Sequence, residues 1–146
     1  MTETEPTTCS TADVVALTPD ANVLLIERDW DPFEGFWALP GGHRDAGESS
    51  RQAASRELGE QSGVHVATTS LREIGTWDQP GRDPRGRYST DAFLAVVPAD
   101  TPIVAGDDAR TARWWPLDAL PPQLAFDHAD ILNAAVALNT AKGAGQ

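Results

Sequence analysis

Two glutamates near the middle of the chain have the spacing of metal ligands. Glu57 and Glu60 lie three positions apart, so on a helix their carboxylates share one face, with Gln61 beside them. Carboxylates held this close repel one another unless a cation lies between them, and hard oxygen ligands suit Mg²⁺ or Mn²⁺, which also bind substrate phosphates. The alternative is a solvated helix face on which Arg56 and Glu60 form an ordinary ion pair one turn apart. The pattern therefore indicates either metal-assisted phosphate chemistry or a surface ion pair.

A helix with a sharp entry is needed to position these glutamates, and the sequence predicts one over residues 49–62. Strong helix formers fill this range, Ser49 or Ser50 can serve as the N-cap, and Gly63 can end the helix. Before the helix, Pro40 is followed by two glycines, a composition that favours an abrupt change of chain direction. We therefore expect a glycine-rich turn, whose backbone another group can approach closely, followed by the helix.

Short strands and a second helix are predicted in the rest of the chain. Apolar and β-branched runs predict a hairpin of strands at 12–17 and 23–28, and one or two strands within 64–77 after the first helix. Two later strands are predicted at 88–97 and 112–117. A loop is expected at 79–87 and a helix at 127–141, with Asp127 as its N-cap. This order of elements predicts an α+β sandwich with one mixed central sheet between helices.

The composition predicts one soluble domain that avoids polyanions. The 146 residues, of which 40% are hydrophobic, suffice for one core, which we place over residues 11–140 between a disordered N-terminus at 1–10 and a flexible tail at 141–146. The net charge of −11 makes nucleic acid and anionic membranes poor partners. Cys9 is the only cysteine and no apolar run is long enough to span a bilayer, so we expect a cytoplasmic location.

The residues around the two glutamates resemble a family motif. Gly42 is followed by five residues and Glu48, and after seven more residues by the run Arg-Glu-Leu-Gly-Glu-Gln-Ser-Gly-Val at 56–64. This pattern closely resembles the Nudix box, which specifies Gly, Glu, Arg-Glu, an aliphatic residue, Glu-Glu, Gly and an aliphatic residue at the same spacing. Eight of the nine specified positions match. Other segments resemble the branch of ADP-ribose pyrophosphatases and Nudix regulators of NAD metabolism, at 31–42, 81–86, 106–109 and 125–128, with Trp114 and Trp115.

The resemblance implies a hydrolase with an α/β/α sandwich and a loop-helix-loop metal site. Such an enzyme cleaves the diphosphate linkage of a nucleoside diphosphate derivative, in this branch ADP-ribose or a related nucleotide, with Mg²⁺ or Mn²⁺ as cofactor. Glu57 and Glu60 would be catalytic metal ligands, with Glu57 also orienting or deprotonating the attacking water. The backbone carbonyl of Gly41 would be a further metal ligand.

Four other positions of the box would be structural. The resemblance implies that Glu48 and Arg56 hold the loop and the helix together through an ion pair and do not touch substrate. Gly42 and Gly63 are the two glycines that the box specifies. We expect these residues to shape the site without taking part in the chemistry.

The sequence departs from the box at Gln61, where the family has the second glutamate of its Glu-Glu pair. An amide oxygen is a neutral and weaker ligand for a hard divalent ion, and losing a ligand charge should cost at least the roughly 10 to 100-fold typical of lost supporting contacts. Asp107 and Asp108 are candidates to replace it, with Asp108 as the expected metal ligand, and a solvated acidic turn is the alternative for both. Otherwise turnover is slow, or the domain only binds a nucleotide.

Two arginines and several aromatic residues are candidates for substrate binding. Arg82 and Arg85 flank a proline-fixed turn, where two guanidinium groups can grip a phosphate or a terminal ribose, and the alternative is a structural turn with an ion pair through Asp83. Trp37, like the neighbouring phenylalanines and Trp77, can stack on a base or belong to the core. His128, near a helix start, is predicted to be a structural hydrogen-bonding group.

Three functions remain open from the sequence. The first is the diphosphate hydrolase, with a small-molecule nucleotide as its partner. The second is a house-cleaning nucleoside triphosphate pyrophosphohydrolase, and the third is a catalytically weak domain that senses a nucleotide. Since dimers are common among the ADP-ribose-type relatives, the resemblance also implies a homodimer as one arrangement.

Overall fold

Seven strands form a mixed sheet with a long helix on each face, within residues 8–106 and 109–144 that the computed structural model describes. A 3-10 turn at Thr68–Ser70 precedes the fifth strand. The elements are β1 (Cys9–Leu17), β2 (Asn22–Arg28), β3 (Trp37–Ala38), β4 (Gly41–His43), α1 (Ser50–Ser62), β5 (Arg72–Trp77), β6 (Tyr88–Val96), β7 (Ala109–Pro116) and α2 (His128–Ala144).

Strand β1 organises the sheet because it pairs with three other strands. It runs parallel to β6 along its whole length and antiparallel to β4 near its beginning, where Asp13 is opposite Gly41. At its end Leu17 pairs with Val23, which makes β1 and β2 the predicted hairpin. Strand β2 continues the sheet to β3 and β7, and β5 lies beyond β6. The pairing of β1 with β4 places the glycine turn beside the middle of the sheet.

The core has two layers, one on each face of the sheet. Val14 and Val15, neighbours in β1, are both fully buried but belong to different layers, since successive side chains of a strand point to opposite faces. Leu58 of α1 packs in the layer with Val14, and Ile131 of α2 in the layer with Val15. Helix, sheet and helix therefore form the α/β/α sandwich that the sequence predicts.

Helix α1 begins and ends where its local signals predict. The Ser49 hydroxyl accepts a hydrogen bond from the Gln52 N–H, and the Gln52 side chain accepts one from the Ser49 N–H, which together form a capping box. Gly63 closes the helix with a φ of 74°, a left-handed conformation that favours glycine. These two caps fix the length and the position of the helix that carries the glutamates.

The structure differs from the predicted elements in several places, including two short strands, β3 and β4, that were not predicted and a β7 that begins at Ala109 rather than at 112. Residues 64–71 contain the 3-10 turn, so the predicted strand region 64–77 reduces to β5. Strand β1 begins at Cys9, three residues before the predicted start at 12, because Cys9 pairs with Tyr88 of β6. Helix α2 continues to Ala144, beyond the predicted end at 141. In the part of the chain that the structure describes, neither helix is long and apolar enough to cross a membrane.

Candidate active site

Glu57 lies at the centre of the candidate site, where α1 passes the glycine turn. Its side chain is 14% exposed, and its carboxylate lies directly against Gly42. A methyl group on Gly42 would overlap this carboxylate, so the close approach requires glycine at this position of the box. The turn and the helix thus hold the Glu57 carboxylate in one place with part of its surface open.

Arg56 joins the acidic residues around Glu57 into one network. Its Nε and one terminal nitrogen donate to the two carboxylate oxygens of Glu48 at 2.8 and 3.0 Å, and its other terminal nitrogen donates to Glu60 Oε1 at 3.0 Å. The latter nitrogen also lies 3.7 Å from Glu57 Oε1. A further hydrogen bond to the His43 carbonyl, at 2.9 Å, ties the box loop to α1. The structure therefore contains both the Glu48 ion pair that the resemblance implies and the Glu60 surface pair.

The same network sets the charges of its members. Hydrogen bonds from the Arg56 guanidinium and from the Asp45 N–H lower the pKa of Glu48 to about 2, so this carboxylate is ionised at neutral pH. The hydrogen bonds to Glu48 raise the pKa of Arg56, against the opposing effect of partial burial. Glu57 and Glu60 consequently share a permanent cation, which reduces the repulsion that their spacing causes.

Gln61 faces the glycine turn from the last turn of α1. The Gly41 N–H donates to Gln61 Oε1 at 2.9 Å, and Gln61 Nε2 donates to the Gly41 carbonyl at 3.0 Å. The Gln61 residue is only 4% exposed. The carboxamide therefore binds both backbone polar groups of the residue whose carbonyl is expected to be a metal ligand.

A small polar cavity of about 50 Å³ lies beside Gly41 and Gly42. Asp13 and His128 line it and lie 3.6 Å apart, measured from Oδ2 to Nε2. The Leu39 N–H donates to His128 Nδ1 at 3.0 Å, and complete burial lowers the pKa of His128 despite the neighbouring Asp13. His128 is thus neutral with its proton on Nε2, and the prediction of a structural hydrogen-bonding role is confirmed.

Both candidate arginines for substrate binding already have carboxylate partners. Arg82 is 5% exposed and binds Asp127 with two hydrogen bonds, of 2.9 and 2.6 Å, whose attraction outweighs burial and raises the pKa of Arg82. Arg85 is 37% exposed, pairs with Asp83 at 2.7 Å, and stacks its guanidinium 4.5 Å from the centre of the Tyr88 ring. Arg82 therefore connects the 79–87 loop to α2, whereas Arg85 has a surface that a ligand can contact.

An apolar groove of about 580 Å³ adjoins the polar cavity. Phe33, Phe36 and Phe126 contribute to its walls, and Phe126 also lines the polar cavity. Phe33 and Phe126 pack edge to face with ring centres 4.8 Å apart. Their φ angles of 64° and 53° lie in the left-handed region that side-chain-bearing residues rarely adopt. Such backbone strain persists only where its surroundings impose it and is concentrated at functional sites.

Trp37 lies mainly against the core. Its ring packs edge to face with Trp115 at 5.1 Å, within the layer that faces α2. Part of Trp37 also borders an apolar depression together with Phe36 and Pro121. The core placement that was one of its two predicted roles is therefore present, and part of the residue is still exposed to a ligand.

Oxygen donors for a divalent cation are present on α1 but are few. Across residues 8–106 and 109–144, no three His, Cys, Asp or Glu side chains are grouped as a preformed metal site. Glu57 and Glu60 provide adjacent hard donors that fit a divalent cation, whereas the Gly41 carbonyl is hydrogen-bonded to Gln61. The expected ligand Asp108, and Asp107, lie outside the described residues.

Sequence analysis did not assign a role to two residues of the site. Phe126 lies in the segment 125–128 that resembles the family branch, but only the structure shows its ring between the cavity and the groove. Asp13 had a signal, since it is an acidic residue within an apolar strand. Its Oδ2 accepts a 2.7 Å hydrogen bond from Thr90, and the residue is 6% exposed. A buried carboxylate of this kind is held by partners that are distant in sequence.

Comparison with known proteins agrees with this geometry. The family model of the NUDIX domain matches residues 7–135. An ADP-ribose pyrophosphatase of Methanocaldococcus jannaschii is 41% identical over 113 residues, which cover 77% of this chain and 64% of that protein. The NUDIX domain of Shewanella oneidensis NrtR complexed with ADP ribose superposes with a TM-score of 0.80 at 29% identity, and the match covers 91% of this chain and 89% of that one.

A longer form of the last protein also matches. Shewanella oneidensis NrtR complexed with a 27mer DNA has a TM-score of 0.72 at 30% identity, over 90% of this chain and 62% of that chain. The present chain thus spans less than two thirds of the length of this protein and of the Methanocaldococcus protein. The predicted sandwich fold is confirmed by these structures, and since the family model matches most of its length, the chain belongs to the NUDIX domain family.

Proposed function

We propose that this chain is a metal-dependent hydrolase that cleaves the diphosphate linkage of ADP-ribose or a related nucleoside diphosphate derivative. The observation that carries the proposal is the Glu57 carboxylate, held against Gly42 at the edge of a polar cavity. The relative named as an ADP-ribose pyrophosphatase and the related domain complexed with ADP ribose support this substrate class.

Glu57 and Glu60 would hold the metal, which we propose to be Mg²⁺, with Mn²⁺ as a substitute. When bound, it supplies positive charge to the diphosphate oxygens and promotes ionisation of the attacking water. Glu57 orients that water and accepts its proton, and Arg56 limits the repulsion between the two carboxylates. We also propose Asp108 as a metal ligand. Gly106, two positions before it in the sequence, donates to the Gln61 carbonyl at 3.2 Å.

The two compartments beside Glu57 suit the two chemical halves of such a nucleotide. We assign the diphosphate and a ribose to the region of Gly41, Gly42 and Arg85, where the guanidinium of Arg85 is partly exposed. The base would enter the apolar groove, where Phe33 and Phe126 present aromatic rings. In this arrangement Arg82 positions the loop, and the edge of Trp37 contributes to the rim.

A hydrolysis screen tests the proposal. The purified protein is assayed with ADP-ribose, NADH, sugar nucleotides and nucleoside triphosphates, with Mg²⁺ and with excess EDTA. We expect ADP-ribose to be cleaved to two monophosphates only with metal, and Glu57→Gln to lower kcat by about 100 to 10,000-fold, the usual contribution of a general base. The matched control is Glu73→Gln, at an exposed glutamate of β5, which should leave kcat unchanged. Tight nucleotide binding without turnover would sink the enzyme assignment.

One observation favours a second function. Gln61 is a neutral amide where the family pattern has a carboxylate, so one charged ligand is missing. Its Nε2 also donates to the Gly41 carbonyl, which leaves that oxygen less available to a metal. A domain that binds ADP-ribose and hydrolyses it slowly or not at all would fit this feature. The same screen separates the functions, because a sensor binds the nucleotide in EDTA and releases no product in Mg²⁺.

The remaining assignments concern location and partners. We propose that the protein is cytoplasmic, since its nucleotide substrates are metabolites of that compartment. With a net charge of −11 we propose no direct nucleic-acid partner, although a longer relative is complexed with DNA. A homodimer also remains a prediction, and light scattering of the purified chain measures it directly.

A further inference from the structure

The contact between Gln61 and Gly41 has a polarity that an amide satisfies and an ionised carboxylate does not. Gly41 presents a donor and an acceptor side by side, and the carboxamide answers with its oxygen at 2.9 Å and its nitrogen at 3.0 Å. A carboxylate has two acceptor oxygens and no donor. A glutamate in this position would accept from the Gly41 N–H but would direct its second oxygen at the Gly41 carbonyl.

Two facing acceptors are stable only with a cation or a proton between them. A glutamate at position 61, the residue that the family pattern specifies, would therefore need a positive charge at this contact. In the present chain the Nε2 hydrogens of Gln61, which carry partial positive charge, take the place of that cation. The contact is buried, since Gln61 is 4% exposed, so water does not easily replace either hydrogen bond.

The turn has little freedom to move away from this contact. A methyl group on Gly41 would overlap Asp13 and the Ala12 carbonyl, which shows how closely β4 lies against β1. On the next residue, Gly42, the carboxylate of Glu57 leaves equally little room. The Gly41–Gly42 turn is therefore enclosed by β1, by Glu57 and by the carboxamide of Gln61.

We propose that Gln61 is the positioning residue that holds the Gly41–Gly42 turn in its binding geometry without a metal ion. The inference rests on the proposed function, in which any metal is held by Glu57 and Glu60. It adds that the metal does not build the turn: a divalent cation binds weakly to that carboxylate pair, and the shape of the nucleotide site is the same in its presence and absence.

Thermal unfolding of the full chain tests this, with wild type, Gln61→Glu and Gln52→Glu each measured in excess EDTA and in saturating MnCl2. Mn²⁺ should raise the Tm of wild type by less than about 2 °C, because an ion bound weakly to Glu57 and Glu60 adds little to the free energy of unfolding. Gln61→Glu should lose about 5 °C in EDTA, since one buried contact becomes repulsive, and should recover it with Mn²⁺. Its affinity for Mn²⁺, measured by electron paramagnetic resonance, should exceed that of wild type at least about 10-fold.

Gln52→Glu is the matched control because it adds the same charge to the same helix. The Gln52 side chain accepts from the Ser49 N–H at 2.9 Å, and a glutamate performs this capping role equally well. Its Tm and Mn²⁺ affinity should therefore follow wild type. The proposal is overturned if Mn²⁺ raises the Tm of wild type as much as that of Gln61→Glu, or if Gln61→Glu is as stable as wild type in EDTA.

A measurement on the unmodified protein covers the case in which Gln61→Glu fails to fold. Hydrogen exchange of the Gly41 amide, followed by nuclear magnetic resonance, should be slow and equal in EDTA and in MgCl2, because Gln61 protects it in both. Protection that rises at least about 10-fold with Mg²⁺ would show that the metal builds the turn. Neither experiment uses nucleotide or measures hydrolysis, so its failure is distinguishable from failure of the hydrolase assignment.

Discussion

Two arginines of the candidate site, Arg56 and Arg82, bind carboxylates in very different ways. Arg56 is 27% exposed and divides its contacts among Glu48, Glu57 and Glu60, the last of which is 42% exposed. Arg82 is 5% exposed and gives its guanidinium to Asp127 in a two-point contact. A shared, partly hydrated cation can release one carboxylate at little cost, whereas a buried exclusive pair cannot. The first network suits ligand exchange, and the second fixes a loop to α2.

Breaking the buried Arg82–Asp127 pair should cost much stability; a small loss would show that the two arginines do not differ in this way. Asp127→Asn removes the charge but keeps the size, and leaves Arg82 buried without its carboxylate. We expect the free energy of unfolding to fall by about 3 kcal/mol, near the lower end for such pairs. Urea denaturation measures it. Asp130→Asn, an exposed position on the same helix turn, is the control and should cost less than about 1 kcal/mol.

The shared network should respond less to a comparable change. Arg56→Lys keeps the charge but loses the planar group that contacts several acceptors together. Since the surrounding carboxylates are partly hydrated, we expect a loss of about 1 kcal/mol in the same urea assay. The pKa of Glu48, followed by nuclear magnetic resonance, should rise from about 2 toward its usual value near 4.5. A stability loss equal to that of Asp127→Asn would remove the distinction between the two networks.

The smallest expected effect is the contribution of Glu48 to the pH dependence of the free energy of unfolding. Its pKa is about 2 in the folded chain against a usual 4.5, so the unfolded chain binds more protons between these values. The stabilisation from Glu48 is therefore complete above pH 4.5 and is lost as the pH falls toward 2. Glu48→Gln should flatten that part of the curve of urea midpoint against pH. An unchanged slope between the two proteins would mean that Arg56 does not depress the Glu48 pKa.

The limits of sequence analysis follow from how far each contact reaches along the chain. The caps of α1 were predictable because Ser49 and Gly63 act on backbone groups within one turn. The link of Arg82 to Asp127 spans 45 positions, and that of Leu39 to His128 spans 89, so no local pattern indicates either. For Gln61 the sequence predicted a lost metal ligand, and the structure adds the backbone partner of its carboxamide, Gly41.

The prediction of strand over 64–77 was partly wrong for a related reason. The residues from Val64 to Val66 are apolar enough for a strand, but the Ser55 hydroxyl of α1 donates to the Val66 carbonyl at 2.6 Å. Arg51, also on α1, donates to the Thr68 carbonyl at 3.1 Å. Side chains of the helix thus satisfy backbone groups that a neighbouring strand would otherwise pair with, and the chain follows α1 before it enters β5.

The ring of Phe126 is a wall of both the polar cavity and the apolar groove. A ligand that fills both compartments has to pass around this ring. The width of the ring therefore sets the shortest distance between the part of the ligand in the polar cavity and the part in the apolar groove. A compact ligand can then occupy one compartment at a time and loses the affinity that simultaneous contact with both would provide.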